Sequence, residues 1–483
     1  MSLTDKRLQI NKQQLLTIPT AKSYTYSNTG PSLICVHKII LLLPIIAVFF
    51  NEISMGYGYG WTAPTLRKLE DANAEFSLNN EQCSWIGSLH ELGRIFGPFL
   101  ALFLVDRVGR QIALVICTVT VFAIWPVILL TRSVAVLYAV RFVFGVAIGI
   151  NDVCSSIYVC ENCNANLRSI MGSISIASFY AGELAEFAIA TFLPYQTVAI
   201  VNTILTFLAL SCILANTETV QYLIMKGNLK KAEKNFNWLR GRAQTDGEFE
   251  KLKIFVEHEN AEKLSFKDLF LNDVYYKPIL LILVLCVLMM MTGFSAVTSF
   301  VSIAFTESEM LTPNQFTTLF GICQLVTASL SPFFIEKFNR RTILLASFGA
   351  IAAIHAVTAA IYYAISRGIL IPNSSWLIFG TITVYAMVFS FGLHPIFYTI
   401  RGEMFPQNIK VIGGSIGVVG HSLMGFFSAK LFLIVADMFG MYVNFLIFSF
   451  CGAAAILIVY KWIPETRGKT LAEIQDELRR KLN

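Results

Sequence analysis

Hydrophobic residues fall along this chain in runs too long for a soluble core, broken at intervals by short charged clusters. Stretches such as 39–50, 112–130, 279–291 and 452–460 sit inside apolar runs of about 20 residues, enough to cross a bilayer core as a helix. Twelve spans are predicted, at roughly 38–66, 84–105, 111–131, 134–158, 169–192, 196–215, 278–305, 314–335, 342–365, 375–400, 411–436 and 440–462. One long polar interval, 217–277, separates the sixth from the seventh. Within it Leu229, Ala232, Phe236 and Leu239 recur at helical spacing, which predicts short amphipathic helices. The expected fold is an all-α membrane protein of twelve transmembrane helices in two six-helix bundles, joined by a cytosolic helical linker. Its parts are an N-terminal tail (1–37), a first bundle (38–215), the linker (216–277), a second bundle (278–463) and a C-terminal tail (464–483).

The charged clusters repeat. Asp106-Arg107-Val108-Gly109-Arg110 is echoed by Glu336-Lys337-Phe338-Asn339-Arg340-Arg341. Glu161, followed seven positions later by Arg168, is echoed by Glu403 and, seven later, Lys410. Thr217-Glu218-Thr219 is echoed by Pro464-Glu465-Thr466-Arg467. Recurrence in one order marks two copies of one structural unit. In a membrane protein, duplicated six-helix halves place a substrate site between them.

Composition supports the lipid reading: 14% of residues are charged, against roughly 25% in soluble domains. Most of the 37 Lys and Arg fall in the proposed inner loops and tails, while the outer loops hold only Arg67, Lys68, Arg132 and Arg367. That asymmetry orients both termini to the cytosol, and it accounts for the net charge of +6 without a nucleic-acid partner. Residues 1–37 lack the apolar core of a signal peptide. Asn373-Ser374-Ser375 is a glycosylation sequon in a predicted outer loop. No nucleophile motif, metal cluster or phosphate loop appears, so neither an enzyme nor a cofactor is expected.

Five unusual charges fall inside predicted spans: Glu52, Glu91, Arg94, Glu183 and Glu186. Charges at mid-membrane cost about 2.5–3.5 kcal/mol on the lower estimates, so they face protein or water. Glu91 and Arg94 share a helix face, as do Glu183 and Glu186, which Arg94 or Arg141 would neutralise. A structural ion cluster and a proton or cation site both fit this pattern.

The motifs resemble those of the sugar porter family of the major facilitator superfamily, and most of all its insect facilitated trehalose transporter group. The resemblance is carried by Asp106-Arg107-x-Gly109-Arg110, Arg141-Phe142-x-x-Gly145, Glu161 with Arg168, Gly402-Glu403-Met404-Phe405-Pro406 and Pro464-Glu465-Thr466-Arg467-Gly468-Lys469-Thr470-Leu471. It implies a cytosolic latch built from Asp106, Arg110, Glu161, Arg168, Glu218, Glu336, Arg340, Arg341, Glu403, Lys410 and Glu465, whose ion pairs form when the inner side shuts.

The resemblance also implies a sugar site, and there this chain departs from the pattern. The family's paired glutamines on span seven correspond to Met289 and Met290, the following asparagine to Ser295, and the span-five glutamine to Ile176. The span-ten tryptophan corresponds to Tyr398, while Gln324 on span eight retains its amide. His394 and His421 supply polar groups where the family has glycine and a nearby asparagine. Proton-linked members carry a span-one carboxylate near the span-four arginine; here Arg141 is present and the carboxylate position is Gly58. The expectation is a monomeric plasma-membrane facilitator of a sugar, trehalose or a hexose, or a similar small polar solute. Its partners are that solute and the lipid bilayer. A proton-coupled symporter and a non-transporting sugar-sensing receptor are the alternatives.

Overall fold

The computed structural model describes residues 31–69, 78–162, 165–240, 247–261, 273–335, 337–405 and 410–469, together with 473, 474 and 477. Among them ten helices are long and apolar enough to cross a membrane. Two more of similar length, Pro31–Gly60 and Ala165–Phe192, pack among these ten. The first half comprises α1 (Pro31–Gly60), the short α2 (Thr62–Leu69), α3 (Asn80–Arg107), α4 (Arg110–Leu130), α5 (Val134–Asn162), α6 (Ala165–Phe192) and α7 (Tyr195–Leu214). The linker forms α8 (Val220–Met225), α9 (Leu229–Arg240) and α10 (Glu248–Ala261). The second half comprises α11 (Asp273–Met290), α12 (Phe294–Ala304), α13 (Pro313–Ile335), α14 (Arg340–Ser366), α15 (Ser374–Val388), a π-helical turn at Phe389–Leu393, α16 (His394–Met404), α17 (Lys410–Phe439) and α18 (Met441–Trp462).

The duplication is visible in the packing. In the first half α1 packs on α6, α3 on α5 and α4 on α7. In the second half α11 packs on α17, α13 on α15 and α14 on α18, the same three pairings carried over. The halves meet through α3 with α17, α6 with α13, and α2 with α12.

Apolar attraction cannot hold helices together in lipid, where tails are as oily as leucine, so close packing must. Glycines supply it at two contacts. A Cβ on Gly145 would lie 1.9 Å from the His90 carbonyl oxygen, so α3 and α5 touch backbone to backbone. A Cβ on Gly182 would lie 2.1 Å from the Ile53 carbonyl oxygen, which sets α6 against α1. These two contacts bring Glu91, Arg94 and Glu183 to the middle of the molecule. Phe99, Phe103, Ile204, Phe207, Phe450 and Leu457 lie on outward faces and are exposed, as lipid-facing side chains must be.

Two spans predicted as continuous are interrupted. The seventh breaks at Met291–Gly293, where Gly293 adopts φ 89°, a left-handed conformation that glycine tolerates. The tenth widens into the π-turn just before Pro395, whose missing N–H would leave a regular ladder incomplete. The first span is displaced as well: α1 starts at Pro31 and stops at Gly60, and α2 continues after Trp61. In the linker Ala232, Phe236 and Leu239 are buried against Val220, Leu223, Ile224 and Val256, whereas Leu229 is exposed.

Candidate functional site

The end of the molecule that carries Pro31, the linker helices and residue 469 is called here the tail end, and the opposite end the far end. At the tail end the repeated sequence clusters fold into repeated geometry. Arg110 pairs with Glu161 at 2.9 Å through Nη2 and at 3.0 Å through Nε. In the second half Arg340 Nη2 pairs with Glu403 at 3.2 Å. Each arginine also donates Nη1 to the carbonyl five residues before it, Val105 at 3.2 Å and Ile335 at 3.1 Å.

Glu218 and Glu465 play matching parts. The Glu218 carboxylate accepts the backbone N–H groups of Arg110 (3.1 Å), Gln111 (3.2 Å) and Thr219 (2.9 Å). Glu465 accepts those of Arg340 (3.0 Å), Arg341 (3.1 Å) and Arg467 (2.9 Å). Neither α4 nor α14 has a side-chain cap from its own N-cap residue, Gly109 or Asn339. The orphan donors of each helix are therefore satisfied by a carboxylate brought from the end of the sixth or the twelfth span. Around the first cluster, burial and the Glu218 charge push the Tyr222 phenol above its usual pKa, and its hydroxyl donates to the Arg107 carbonyl at 2.9 Å.

Arg110–Glu161 and Arg340–Glu403 each join helices of one half, because each arginine opens a helix that packs beside the partner glutamate's. Arg341 turns to the Tyr460 carbonyl, and Asp106 is exposed at the end of α3. Glu336, and the side chains of Arg168 and Lys410, lie outside the described residues.

Among the described residues, hydrogen bonds between halves run from mid-depth to the far end. Asn80 donates to Asp437 at 3.0 Å, Ser84 to the Lys430 carbonyl at 2.7 Å, and Thr191 to the Asn314 carbonyl at 2.9 Å. Ser299 donates to the Gly87 carbonyl at 3.2 Å, and Tyr180 meets His394 Nδ1 at 2.9 Å. These bonds join the halves at the far end. Asn373 sits there in an exposed left-handed turn, and the hydroxyl of Ser375 in its sequon donates to the Glu307 carbonyl at 2.9 Å.

At mid-depth a charged group joins α3 to α5. Arg94 Nη2 meets Asp152 at 2.7 Å and Arg94 Nη1 meets Glu91 at 3.8 Å. Glu91 accepts Tyr59 at 3.2 Å and, across the halves, Ser295 at 3.0 Å. Glu52 accepts Asn151 at 3.0 Å and Ser155 at 2.7 Å. Arg141 donates to the Gly58 carbonyl and to Thr62, both at 2.6 Å, and to the Ile86 carbonyl at 3.3 Å. Glu186 accepts Asn202 at 2.7 Å, whereas neither oxygen of the buried Glu183 has a hydrogen-bond partner. The expectation that Arg94 or Arg141 neutralises Glu183 and Glu186 fails, because the first is taken by Asp152 and Glu91 and the second by backbone carbonyls and Thr62.

The sugar-site candidates divide. Ser295 and His394 meet partners from the other half, Glu91 and Tyr180. Tyr398 packs edge-on against His394 at 5.1 Å, with Arg401 4.6 Å above its ring. Phe294 stacks on Phe389 at 4.1 Å and on His394 at 5.9 Å, so the centre is an aromatic layer. Met289 and Met290 are fully enclosed and Gln324 is 1% exposed. Both amide atoms of Gln324 and Nδ1 of His421 are without hydrogen-bond partners. Sequence reasoning missed Asp152, although a charge three helical turns beyond Arg141 inside span four was there to read. It also missed Tyr59 and Tyr180, since a tyrosine in an apolar run gives no signal of what it will meet.

Residues 43–478 match a family model described as "Sugar (and other) transporter". The chain is 25% identical over 439 residues to the facilitated trehalose transporter Tret1 of Apis mellifera ligustica, covering 90% of this chain and 87% of that protein. It is 27% identical over 455 residues to the sugar transporter ERD6-like 6 of Arabidopsis thaliana, covering 92% and 91%. The inward-open structure of the xylose transporter XylE from E. coli superposes with a TM-score of 0.75 at 18% identity, covering 90% of this chain and 99% of XylE, a likeness of fold.

Proposed function

The chain belongs to the sugar (and other) transporter family, and on that premise we propose that it carries a sugar down its gradient by alternating access, without proton coupling. It is a multi-pass membrane protein. The two bundles, 38–215 and 278–463, rock about the aromatic layer that Phe294, Phe389, His394 and Tyr398 form between them. The tail end faces the cytosol, as its basic loops demand, and the plasma membrane is the site of action. The ion pairs and carboxylate caps at the tail end keep each bundle rigid as it turns, and the far-end bonds are the ones broken on opening.

One observation carries the absence of coupling. Arg141 Nη1 is satisfied by the Gly58 carbonyl at 2.6 Å, where a titratable partner would have to stand. A Cβ on Gly58 would lie 2.1 Å from the Phe144 ring, so that position has no room for a carboxylate. At that position the arginine therefore meets a carbonyl that neither gains nor loses a proton. The symporter reading draws on the Glu91–Arg94–Asp152 group.

Uptake of radiolabelled trehalose, glucose and xylose into proteoliposomes tests the proposal. Facilitated diffusion predicts uptake that equilibrates and ignores an imposed pH gradient. Accumulation above the outside concentration, driven by an acid-outside gradient, would establish the symporter instead.

A further inference from the structure

Glu183 stands apart from the other buried carboxylates. Glu52, Glu91 and Glu186 each have a side-chain partner and Glu218 accepts backbone N–H groups, whereas Glu183 is 1% exposed with both oxygens unpartnered. An ionised carboxylate in that condition is among the costliest groups a membrane interior can hold, so the group either takes up a proton or meets a partner of opposite charge. The buried arginines Arg94, Arg110 and Arg141 are committed elsewhere.

Its surroundings are aromatic. Phe179 and Tyr180 precede it by four and three positions, on one face of α6. Phe179 meets Tyr59 edge-on at 5.4 Å, and Tyr180 meets His394 at 5.8 Å. A Cβ on Gly60 would lie 3.2 Å from Glu183 Cγ, so the glutamate stem lies against α1 next to Tyr59. Thr191 meets Thr318 at 3.1 Å and Leu184 packs beside Gly321, an antiparallel register that brings Gln324 level with Glu183. Gln324 is itself 1% exposed with both amide atoms unpartnered. Two buried polar groups without partners thus sit at one level on two packed helices.

An unpaired carboxylate among π faces is the chemistry that recognises an organic ammonium. An amide that can donate and accept suits a neighbouring hydroxyl. A neutral diol would bond to both carboxylate oxygens but leave the charge uncompensated. We propose that Glu183, with Tyr59, Phe179, Tyr180 and Gln324, forms a subsite for a protonated amine, so that the solute carried is an amino sugar. This deepens the carrier reading and rests on it.

Binding and flux are measured separately on the full chain. In detergent, calorimetry compares glucosamine with glucose and N-acetylglucosamine, whose nitrogen is uncharged. The expected result is glucosamine binding about tenfold tighter than either, a preference erased by Glu183→Gln and kept by Glu186→Gln, whose carboxylate Asn202 already holds. Equal affinities in the wild type overturn the subsite, as does a preference that survives Glu183→Gln. If Glu183→Gln does not fold, the wild-type ranking decides alone. In proteoliposomes held inside-negative, glucosamine should be taken up faster than glucose. Tight glucosamine binding with no flux of any sugar removes the carrier and leaves the subsite, whereas glucose flux with no amine preference in binding does the reverse.

Discussion

Removing the Glu218 carboxylate tests whether the repeated tail-end clusters are structural keystones or merely charges that set topology. Glu218 accepts two backbone N–H groups at the start of α4, at 3.1 and 3.2 Å, where Gly109 offers no side chain of its own. A Cβ on Gly109 would lie 2.2 Å from Glu218 Oε2, so the glycine is what lets the carboxylate in. Hydrogen bonds to a charged group contribute about 1.5–3 kcal/mol each where burial excludes water. A carboxylate at a helix N-terminus adds about 0.3–1 kcal/mol through the dipole. Water will replace part of this, so Glu218→Ala should cost roughly 2–4 kcal/mol. Glu218→Gln keeps an acceptor oxygen and loses the charge, so about half the cost is expected. Glu465 makes the matching bonds from a more exposed position, and Glu465→Ala should cost less. Hydrogen exchange followed by mass spectrometry on the detergent-solubilised protein reads this locally. The amides of Arg110 and Gln111 should exchange roughly 10–100-fold faster in Glu218→Ala, with a lowered Tm beside it. Unchanged exchange at those amides, or equal effects of Glu218→Ala and Glu218→Gln, would refute the capping argument.

Other outcomes follow from the same geometry. Gly58→Ala should destabilise by about 1–3 kcal/mol through its clash with Phe144, and pairing it with Phe144→Ala should give a loss smaller than the sum; additive Tm shifts would sink this. Asp152→Asn leaves Arg94 with only Glu91, 3.8 Å away, and should cost about 2–4 kcal/mol, while any uptake that remains stays indifferent to a pH gradient. Asn80→Ala with Ser84→Ala removes two bonds that close the far end. The buried Cys83 between them should then react roughly tenfold faster with an impermeant maleimide added from that side. An unchanged labelling rate would mean the halves are held elsewhere.

How much was legible beforehand can be seen residue by residue. Arg110, Glu161 and Glu218 were readable because their counterparts Arg340, Glu403 and Glu465 recur in order, and a repeat in sequence becomes a repeat in contacts. The sense of those contacts was not readable. A pairing rule gives attraction between opposite charges, but not whether the partners sit in one bundle or two. Asp152 was passed over, and Arg94 meets Asp152 as well as its helix neighbour Glu91 rather than Glu183 or Glu186, since which acid an arginine meets depends on how closely α3 and α5 approach. The breaks in the seventh and tenth spans were likewise hidden within unbroken apolar runs.

The amino-acid order alone determined the class of molecule: long apolar runs demand lipid, and duplicated motifs demand two like halves. These are one-dimensional properties, set by transfer of each segment into a bilayer with little regard to its neighbours. Tertiary structure alone decided which charges are satisfied, because satisfaction is a matter of a few ångströms between helices far apart in sequence. Gly145 and Gly182 permit the approaches that give Arg94 its Asp152 and leave Glu183 with none, and it is that difference which shapes the centre of this protein.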